Sequence, residues 1–189
     1  MSPHDRRKAE ASDLRLAERA SRSPRSAEFT GADLPSGDDD LARLLRYVEE
    51  EPWNPVLYGI LGRMRKKRLE YDEACAAWMR AIELWLGHDD GAIASLRENI
   101  AEVHLLSGHH GAALQQYREA AAAYNRARQA SMPALASDNL KWREGFCLVK
   151  VGRIADARSL WLEILQGPNR ATFESEISLM ERTCALDPT

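Results

Sequence analysis

Three histidines near the middle of the chain are the first candidates for chemistry, because imidazole serves both as a metal ligand and as a general acid or base. His104, His109 and His110 lie close together in the sequence, but no HExxH motif and no paired carboxylate–histidine spacing accompanies them. His109 and His110 directly follow Gly108, where a turn would expose polar side chains. We therefore expect neither a metal site nor a catalytic histidine.

The motifs that activate a nucleophile or hold a phosphate are also missing from the sequence. There is no glycine-flanked serine of the nucleophile-elbow type and no GxxxxGK[ST] loop. Cys75, Cys147 and Cys184 are too far apart for a CxxC zinc knuckle, and their apolar neighbours favour packing in a core. The sequence predicts a protein that is not an enzyme and that has no cofactor and no small-molecule substrate.

The densest basic stretch of the chain leaves two interpretations open. It consists of Arg63, Arg65, Lys66, Lys67 and Arg68. One interpretation is a solvated helix end, where cations favour the negative end of the helix dipole. The other is a surface that binds an acidic partner. The choice depends on the helix that carries the stretch and on what that helix faces.

Composition excludes several classes of protein. The 189 residues include 26 Lys+Arg and 29 Asp+Glu, for a formal net charge of -3, so there is no bulk attraction to nucleic acid. No apolar run approaches the roughly 20 residues of a membrane span. The first thirty residues lack the apolar run of a secretory signal. We expect a cytoplasmic protein that does not bind membranes.

Residues 1–40 differ from the rest of the chain, because they contain too few large apolar side chains to offset the entropy cost of ordering. Seven basic residues precede Ser26, whereas residues 27–40 contain five acids and no base. We predict a disordered charged tail, with a marginal short helix at Lys8 to Ala20. Asp38 to Asp40 then predict the start of a helix at Leu41, which Pro52 ends.

Helical spacing of apolar residues continues to about Leu165 without strand alternation, so the predicted fold class is all-α. A pattern of small and aromatic residues recurs three times in this region. In each copy a small residue is followed by an alanine. An aromatic residue stands four positions after the alanine, and a small or apolar residue stands three positions after the aromatic residue. The copies are Gly62 with Ala74, Trp78 and Ala81; Ala101 with Ala113, Tyr117 and Ala120; and Gly145 with Ala157, Trp161 and Ile164.

Small residues on one helix let a neighbouring helix come close, which is the packing of a helical hairpin. Gly108 and Gly152 stand five residues before the alanine of the second and third copies, where the first helix must end and reverse. Leu69 occupies that place in the first copy, so its turn must form without glycine. Trp78 and Trp161 belong to the repeat core, and Trp53, Trp85 and Trp142 are also assigned to packing.

At these residues the chain resembles the tetratricopeptide repeat family. The resemblance covers about residues 41–167 and implies an antiparallel helix-hairpin array, a right-handed α-solenoid. It implies a half-unit at 41–52 and units at about 55–86, 94–132 and 138–167. Residues 168–189 would add a capping helix over Thr172 to Ala185. The sequence departs from the family pattern in its longer repeat offsets of 39 and 44 residues, in Arg65 at an expected aromatic and in Glu144 at an expected leucine.

The resemblance also implies that the first helix of each unit lines a concave groove for a peptide. Family members that clamp a C-terminal carboxylate use five positions, which here hold Gly59, Arg63, Asn99, Asn139 and Arg143, and only Asn99 and Arg143 match. We therefore predict a looser groove for an acidic peptide. Its predicted peptide-binding residues are Arg63, Lys66, Lys67, Asn99 and Arg143.

The favoured function is a non-catalytic scaffold or adaptor that binds a peptide or helix of another protein in this groove. Two alternatives remain open at this point. One is a regulatory domain whose basic N-terminal tail binds nucleic acid or is autoinhibitory. The other is a self-assembling structural protein that forms a homodimer.

Overall fold

The computed structural model describes residues 37–87, 89–127 and 134–186, and side chains at all of these except 134–136 and 183–186. The predicted disordered tail, apart from its last four residues, and the short helix at Lys8 to Ala20 lie outside these residues. The described part of the chain forms α-helices and no strand, which confirms the all-α prediction. The helices are α1 (Asp38–Glu50), α2 (Pro55–Lys67), α3 (Tyr71–Trp85), α4 (Asp90–Leu106), α5 (His110–Arg126), α6 (Ala134–Lys150), α7 (Ile154–Leu165) and α8 (Arg170–Leu186).

The chain divides within α4 into two compact units, Met1–Leu96 and Arg97–Thr189, which we call unit 1 and unit 2. In unit 1, α1 packs on α2 and α2 packs on α3. In unit 2, α5 packs on α6, α6 on α7, and α8 on both α6 and α7. This succession of hairpins confirms the predicted helix-hairpin array.

The start of α1 corrects one prediction, because the helix begins at Asp38 and not at Leu41. Gly37 is the N-cap, and the Leu41 N–H donates to the Gly37 carbonyl at 3.1 Å. The three aspartates therefore occupy the first turn instead of preceding it. Carboxylates are favourable there because they lie at the positive end of the helix dipole.

The predicted pairing of small and aromatic residues forms the centre of the α2–α3 and α6–α7 hairpins. The Trp78 ring lies against Gly62 so closely that a Cβ at Gly62 would come within 3.0 Å of the indole, and Trp161 lies in the same way against Gly145. Both tryptophans are buried. The Trp78 Nε1–H donates to the Gly59 carbonyl at 3.2 Å. The absence of a side chain at Gly62 and at Gly145 therefore leaves room for a buried indole.

The three hairpin turns share one backbone geometry, although one of them lacks glycine. Leu69, Gly108 and Gly152 have φ angles of 63°, 75° and 79°, in the left-handed region. In each turn the next N–H bonds the carbonyl five residues earlier, as Glu70 does to Arg65 at 3.0 Å and Arg153 does to Leu148 at 2.8 Å. This is the bonding pattern of a Schellman C-cap. The glycine-free turn expected at Leu69 is confirmed.

The longer repeat offsets appear mainly as longer helices. Helices α4 and α5 have 17 residues each, compared with 13 in α2. Helix α5 ends at Arg126, where the Ala127 N–H donates to the Ala123 carbonyl. The last residues of the predicted unit 94–132, from 128 onwards, lie outside the described residues. The helix predicted at Thr172 to Ala185 is present as α8 and buries Phe173 and Ile177 in the unit 2 core.

Candidate protein-interaction surface

A pocket of about 400 Å³ opens on unit 2 between three helices. Side chains three and four residues apart lie on one face of a helix, and each of the three helices contributes such a set. We call this site the unit 2 pocket. Its walls are Glu102, Leu105 and Leu106 of α4, Asn139, Trp142 and Arg143 of α6, and Phe173 and Glu176 of α8.

The aromatic wall of the unit 2 pocket is anchored in the core. The Trp142 ring stacks on Phe146, with centroids 6.0 Å apart and planes inclined by 24°. Phe173 is buried in the unit 2 core and also lines the pocket. Large rings held in one position lose little entropy when a ligand packs on them, which makes them suitable contact residues.

Arg143 is held in place by the middle hairpin. Its Nη1 donates to the Tyr117 hydroxyl at 3.1 Å, and its guanidinium carbon lies 5.9 Å from the Tyr117 ring centroid. Burial opposes the charge of Arg143, but the hydrogen bond to Tyr117 and the charges of Glu102 and Glu98 together raise the pKa of the guanidinium. Arg143 is therefore permanently cationic, and its charge is already engaged within unit 2.

Two tyrosines of α5 remain neutral beside this surface. Burial raises the pKa of Tyr117, against the lowering effect of the bond from Arg143. Burial and the hydrogen bond to Glu98 raise the pKa of Tyr124 to about 12. The Tyr124 hydroxyl donates to Glu98 Oε1 at 2.7 Å, which fixes that carboxylate on α4.

The five predicted peptide-binding residues fall into the two units. Arg63, Lys66 and Lys67 lie on α2 in unit 1, where Arg63 and Lys67 are exposed and Lys66 is half-buried. Asn99 and Arg143 lie in unit 2, on α4 and α6. Arg143 lines the unit 2 pocket, whereas Asn99 lies one helical turn before its wall residue Glu102.

The remaining arginines of the basic stretch are engaged in ion pairs at the first turn. Arg65 pairs with Glu70. Arg68 pairs with Glu70 and with Asp38, and each of these two distances is 2.8 Å. These contacts explain why an arginine replaces the aromatic residue expected at position 65. They also reduce the positive charge that the stretch presents to a partner.

Glu144, the second departure from the family pattern, is also explained by an ion pair. Its carboxylate accepts from Arg118 Nε at 2.6 Å across α5 and α6. The pair lines a smaller pocket of about 230 Å³, which also contains the Arg153–Asp156 pair. Because the charges around this pocket are paired with one another, it offers little to a charged ligand.

The structure describes the side chains of His104, His109, His110, Cys75 and Cys147. The His104 and His109 rings are 6.1 Å apart, and His110 meets Phe146 edge to face. Burial raises the pKa of the Cys147 thiol to about 11, so this cysteine is a protonated core residue at neutral pH. Among the residues with described side chains, no three His, Cys, Asp or Glu come together as a metal site would require.

Sequence reasoning missed most of the unit 2 pocket. Trp142 was assigned to packing, which is correct for its contact with Phe146, but its ring also lines the pocket. Glu102, Phe173 and Glu176 were not singled out as site residues. Their only signal in the sequence was helical spacing on first helices, which every amphipathic helix of the chain shares.

Over the described ranges, the helices are too short or too polar for any of them to cross a membrane.

Comparisons with known proteins agree with this architecture. Residues 55–126, from α2 to the end of α5, match the family model described as Tetratricopeptide repeat. No curated protein sequence matches the chain significantly.

Two solved structures share the fold. "Crystal structure of MamA protein" has a TM-score of 0.59 and 17% identity, covering 90% of this chain and 91% of that chain. "Crystal structure of MamA" has a TM-score of 0.59 and 16% identity, covering 93% and 98%. At such identities the likeness concerns the fold alone. The match over residues 55–126 assigns α2 to α5 to the tetratricopeptide repeat family, and the close Gly–Trp contact of the α2–α3 hairpin recurs in the α6–α7 hairpin.

Proposed function

We propose that the chain is a non-catalytic scaffold or adaptor that binds a peptide or helix of another protein against the first-helix surface of unit 2. Tetratricopeptide repeats are in general protein-interaction domains. The observation that carries the proposal is the unit 2 pocket, to which α4, α6 and α8 all contribute side chains. A site built on rigid helices positions its contact residues more accurately than a site on loops.

The composition of the pocket suits a protein segment. Leu105, Trp142 and Phe173 offer an apolar floor, and Asn139 supplies an exposed amide beside it. Interfaces derive most of their binding energy from a few aromatic and arginine residues surrounded by polar contacts. The pocket has both kinds of residue within one unit.

The acidic partner predicted from the sequence is proposed for α2 of unit 1. Arg63 and Lys67 are exposed on that helix, and Lys66 is half-buried beside them. Arg65 and Arg68 are excluded from this role because they pair with Glu70. Unchanged partner affinity after the double replacement Arg63→Ala and Lys67→Ala would contradict an acidic contact at this surface.

Site-specific cross-linking tests the proposal for unit 2. Asn139 is replaced by the photo-reactive residue p-benzoylphenylalanine, and the full chain is irradiated in a native extract. A matched chain carries the same residue in place of Arg158, which is exposed on α7 outside the pocket. We expect protein adducts at position 139 that are absent at position 158, and mass spectrometry identifies the partner.

Binding of the purified partner then decides whether the pocket is responsible. Trp142→Ala should weaken binding roughly tenfold or more, as the loss of an aromatic contact residue does. Trp53→Ala, in unit 1, should leave the affinity unchanged, and circular dichroism checks that both variants are folded. Equal adducts at positions 139 and 158, or an unchanged dissociation constant for Trp142→Ala, would contradict the proposal.

A further inference from the structure

The unit 2 pocket has a charge that was not apparent from its sequence. Its wall residues include two carboxylates, Glu102 on α4 and Glu176 on α8, and one guanidinium, that of Arg143. Glu98, one turn before Glu102 on α4, also acts on Arg143 by its charge. Among the wall residues themselves, two carboxylates and one guanidinium leave an excess of negative charge.

The guanidinium of Arg143 already makes contacts within unit 2. Arg143 donates to the Tyr117 hydroxyl, rests over the Tyr117 ring, and is stabilised by the charges of Glu102 and Glu98. A ligand carboxylate at Arg143 would compete with these partners and would meet the neighbouring carboxylates. Glu176 is exposed at the pocket and lies on a different helix from the two carboxylates of α4.

The apolar wall residues of the pocket set a further requirement for the ligand, which must also present apolar surface. Trp142 and Phe173 are aromatic, and Leu106 is 61% exposed at the end of α4. Lysine and arginine side chains have an apolar stem and a charged head, so they can cover apolar surface while the head reaches a carboxylate. A cation can in addition lie over the face of a tryptophan, which is the most favourable ring for this contact.

We infer that the unit 2 pocket recognises a lysine or arginine side chain of the partner segment, with an apolar residue beside it. The inference rests on the proposed function and adds the chemistry of the partner. The stem of the basic residue packs against Trp142, its head meets Glu176 and Glu102, and the apolar neighbour covers Leu106 beside the buried Phe173.

Nuclear magnetic resonance on the full ¹⁵N-labelled chain tests the inference, because Trp142 lines the pocket and the signal of its buried indole N–H responds to a ligand packed on the ring. The probes are three pentapeptides in which two leucines flank a central lysine, glutamate or norleucine. Norleucine has the length of the lysine stem without the charge. We expect the lysine peptide to shift the Trp142 signal with the highest affinity and the glutamate peptide with the lowest.

Charge variants of the chain locate the contact. Glu176→Gln and Glu102→Gln should each weaken binding of the lysine peptide roughly twofold to fivefold, the range of an exposed ion pair. Added salt should weaken binding to the unmodified chain and have less effect on the two variants. Glu174→Gln is the matched control, since Glu174 is an exposed carboxylate of α8 that pairs with Arg170 and does not line the pocket.

The possible results separate this inference from the proposed function. Equal affinity for the lysine and norleucine peptides, or tighter binding of the glutamate peptide, would overturn the recognition of a basic residue. The pocket would still be a peptide-binding site. If none of the three peptides shifted the Trp142 signal, both the inference and the assignment of partner binding to this pocket would be overturned.

Two other occupants are tested in the same spectra without peptide. A Trp142 signal that moves with protein concentration would identify a second copy of the chain as the occupant. A signal that moves when Arg15, Arg19 and Arg22 are replaced together by glutamine would identify the basic N-terminal segment. Either result would overturn the assignment to a partner protein.

Discussion

The α2–α3 hairpin of unit 1 and the α6–α7 hairpin of unit 2 have the same core and the same turn geometry, but different residues at the turn. Gly62 lies against Trp78 in the first and Gly145 against Trp161 in the second, with the same missing side chain admitting the same ring. At the turn, the first hairpin has Leu69 where the second has Gly152. Leu69 is 71% exposed, so its side chain points into solvent. The only cost of leucine at this turn is therefore the strain of its left-handed backbone. Burial, and not helix geometry, decides where glycine is required.

The two hairpins also differ one turn earlier, near the end of the first helix of each. Leu148 of α6 is buried in the unit 2 core, whereas the corresponding residue of α2 is Arg65, which is partly buried and pairs with Glu70. An apolar contact and an ion pair therefore support the same backbone turn. Four sets of substitutions test this comparison, in order of decreasing expected effect.

Removal of either indole should have the largest effect. Trp78→Ala and Trp161→Ala should each lower the free energy of unfolding by about 3 to 5 kcal/mol, because each leaves a cavity in a closely packed hairpin. Chemical denaturation followed by circular dichroism measures the loss. Trp53→Ala is the control, because Trp53 is partly exposed and its removal should cost less. Near-neutral stability in both core variants would show that the shared core does not support the hairpins.

Addition of one methyl group at the close contact should have the next largest effect. Gly145→Ala should cost about 1 to 3 kcal/mol, because the new Cβ would overlap the Trp161 indole. The middle hairpin shows the compensating arrangement, with Ala101 and the smaller ring of Tyr117 both buried. The double variant Gly145→Ala, Trp161→Tyr should therefore be less destabilised than the sum of the two single variants.

Gly111→Ala is the control for the methyl group, since a Cβ there meets no atom within 4 Å. It should be neutral or slightly stabilising, because alanine favours the helix. Additive effects of Gly145→Ala and Trp161→Tyr would contradict the proposed compensation between side-chain size and ring size.

Exchange of the turn residues should have smaller effects of opposite sign. Leu69→Gly should raise the free energy of unfolding by up to about 1 kcal/mol, because release of left-handed strain exceeds the entropy cost of glycine. Gly152→Ala should lower it by a similar amount. Thermal unfolding measures both changes. A loss of stability in Leu69→Gly would mean that the Leu69 side chain contributes contacts that outweigh its backbone strain.

The ion pair of the first hairpin should make the smallest contribution, and one that depends on pH. Arg65, and then Arg68, lower the pKa of the Glu70 carboxyl below its usual value of 4.5. The stability that Glu70 contributes is therefore present above pH 4.5 and is lost as the pH falls through the lowered pKa. Glu70→Gln should destabilise the protein slightly at pH 7.

Stability curves between pH 7 and pH 3 test this dependence. The difference between the unmodified chain and Glu70→Gln should shrink towards the acid end of the range. Glu73→Gln, which removes an exposed carboxylate from the first turn of α3, is the control and should show a weaker trend, because the helix dipole contributes less than the two arginine contacts of Glu70. A constant difference across the range would rule out Glu70 ionisation as its source.

Much of the fold could be predicted because its determinants are local or repeated. Helical spacing gave the helices, and the Gly62–Trp78 pairing and its two counterparts gave the hairpins. The start of α1 was missed because aspartate is favourable both as a cap and in the first turn, so Asp38 to Asp40 allow either register. A glycine-free turn at Leu69 was predicted only from its position in the repeat, and its left-handed backbone was not predicted, since leucine itself disfavours that conformation.

The candidate site was less predictable. The basic stretch Arg63 to Arg68 was evident in the sequence, but its pairing with Glu70 and Asp38 depends on how the turn folds. Arg143 was selected as a cation for an acidic peptide, yet its environment includes Tyr117, Glu98 and Glu102 from two other helices. A charge pattern does not indicate which charges neutralise one another.

The sequence by itself determined an all-α chain of hairpins, because a period of 3.6 residues and matched small and aromatic positions act within one helix or between consecutive helices. The tertiary structure decided which side chains share the unit 2 pocket. Glu102, Trp142 and Glu176 belong to three helices and are up to 74 residues apart in the sequence. Their common surface and its negative charge arise only when α4, α6 and α8 come together, since electrostatic and packing contacts depend on distance in space.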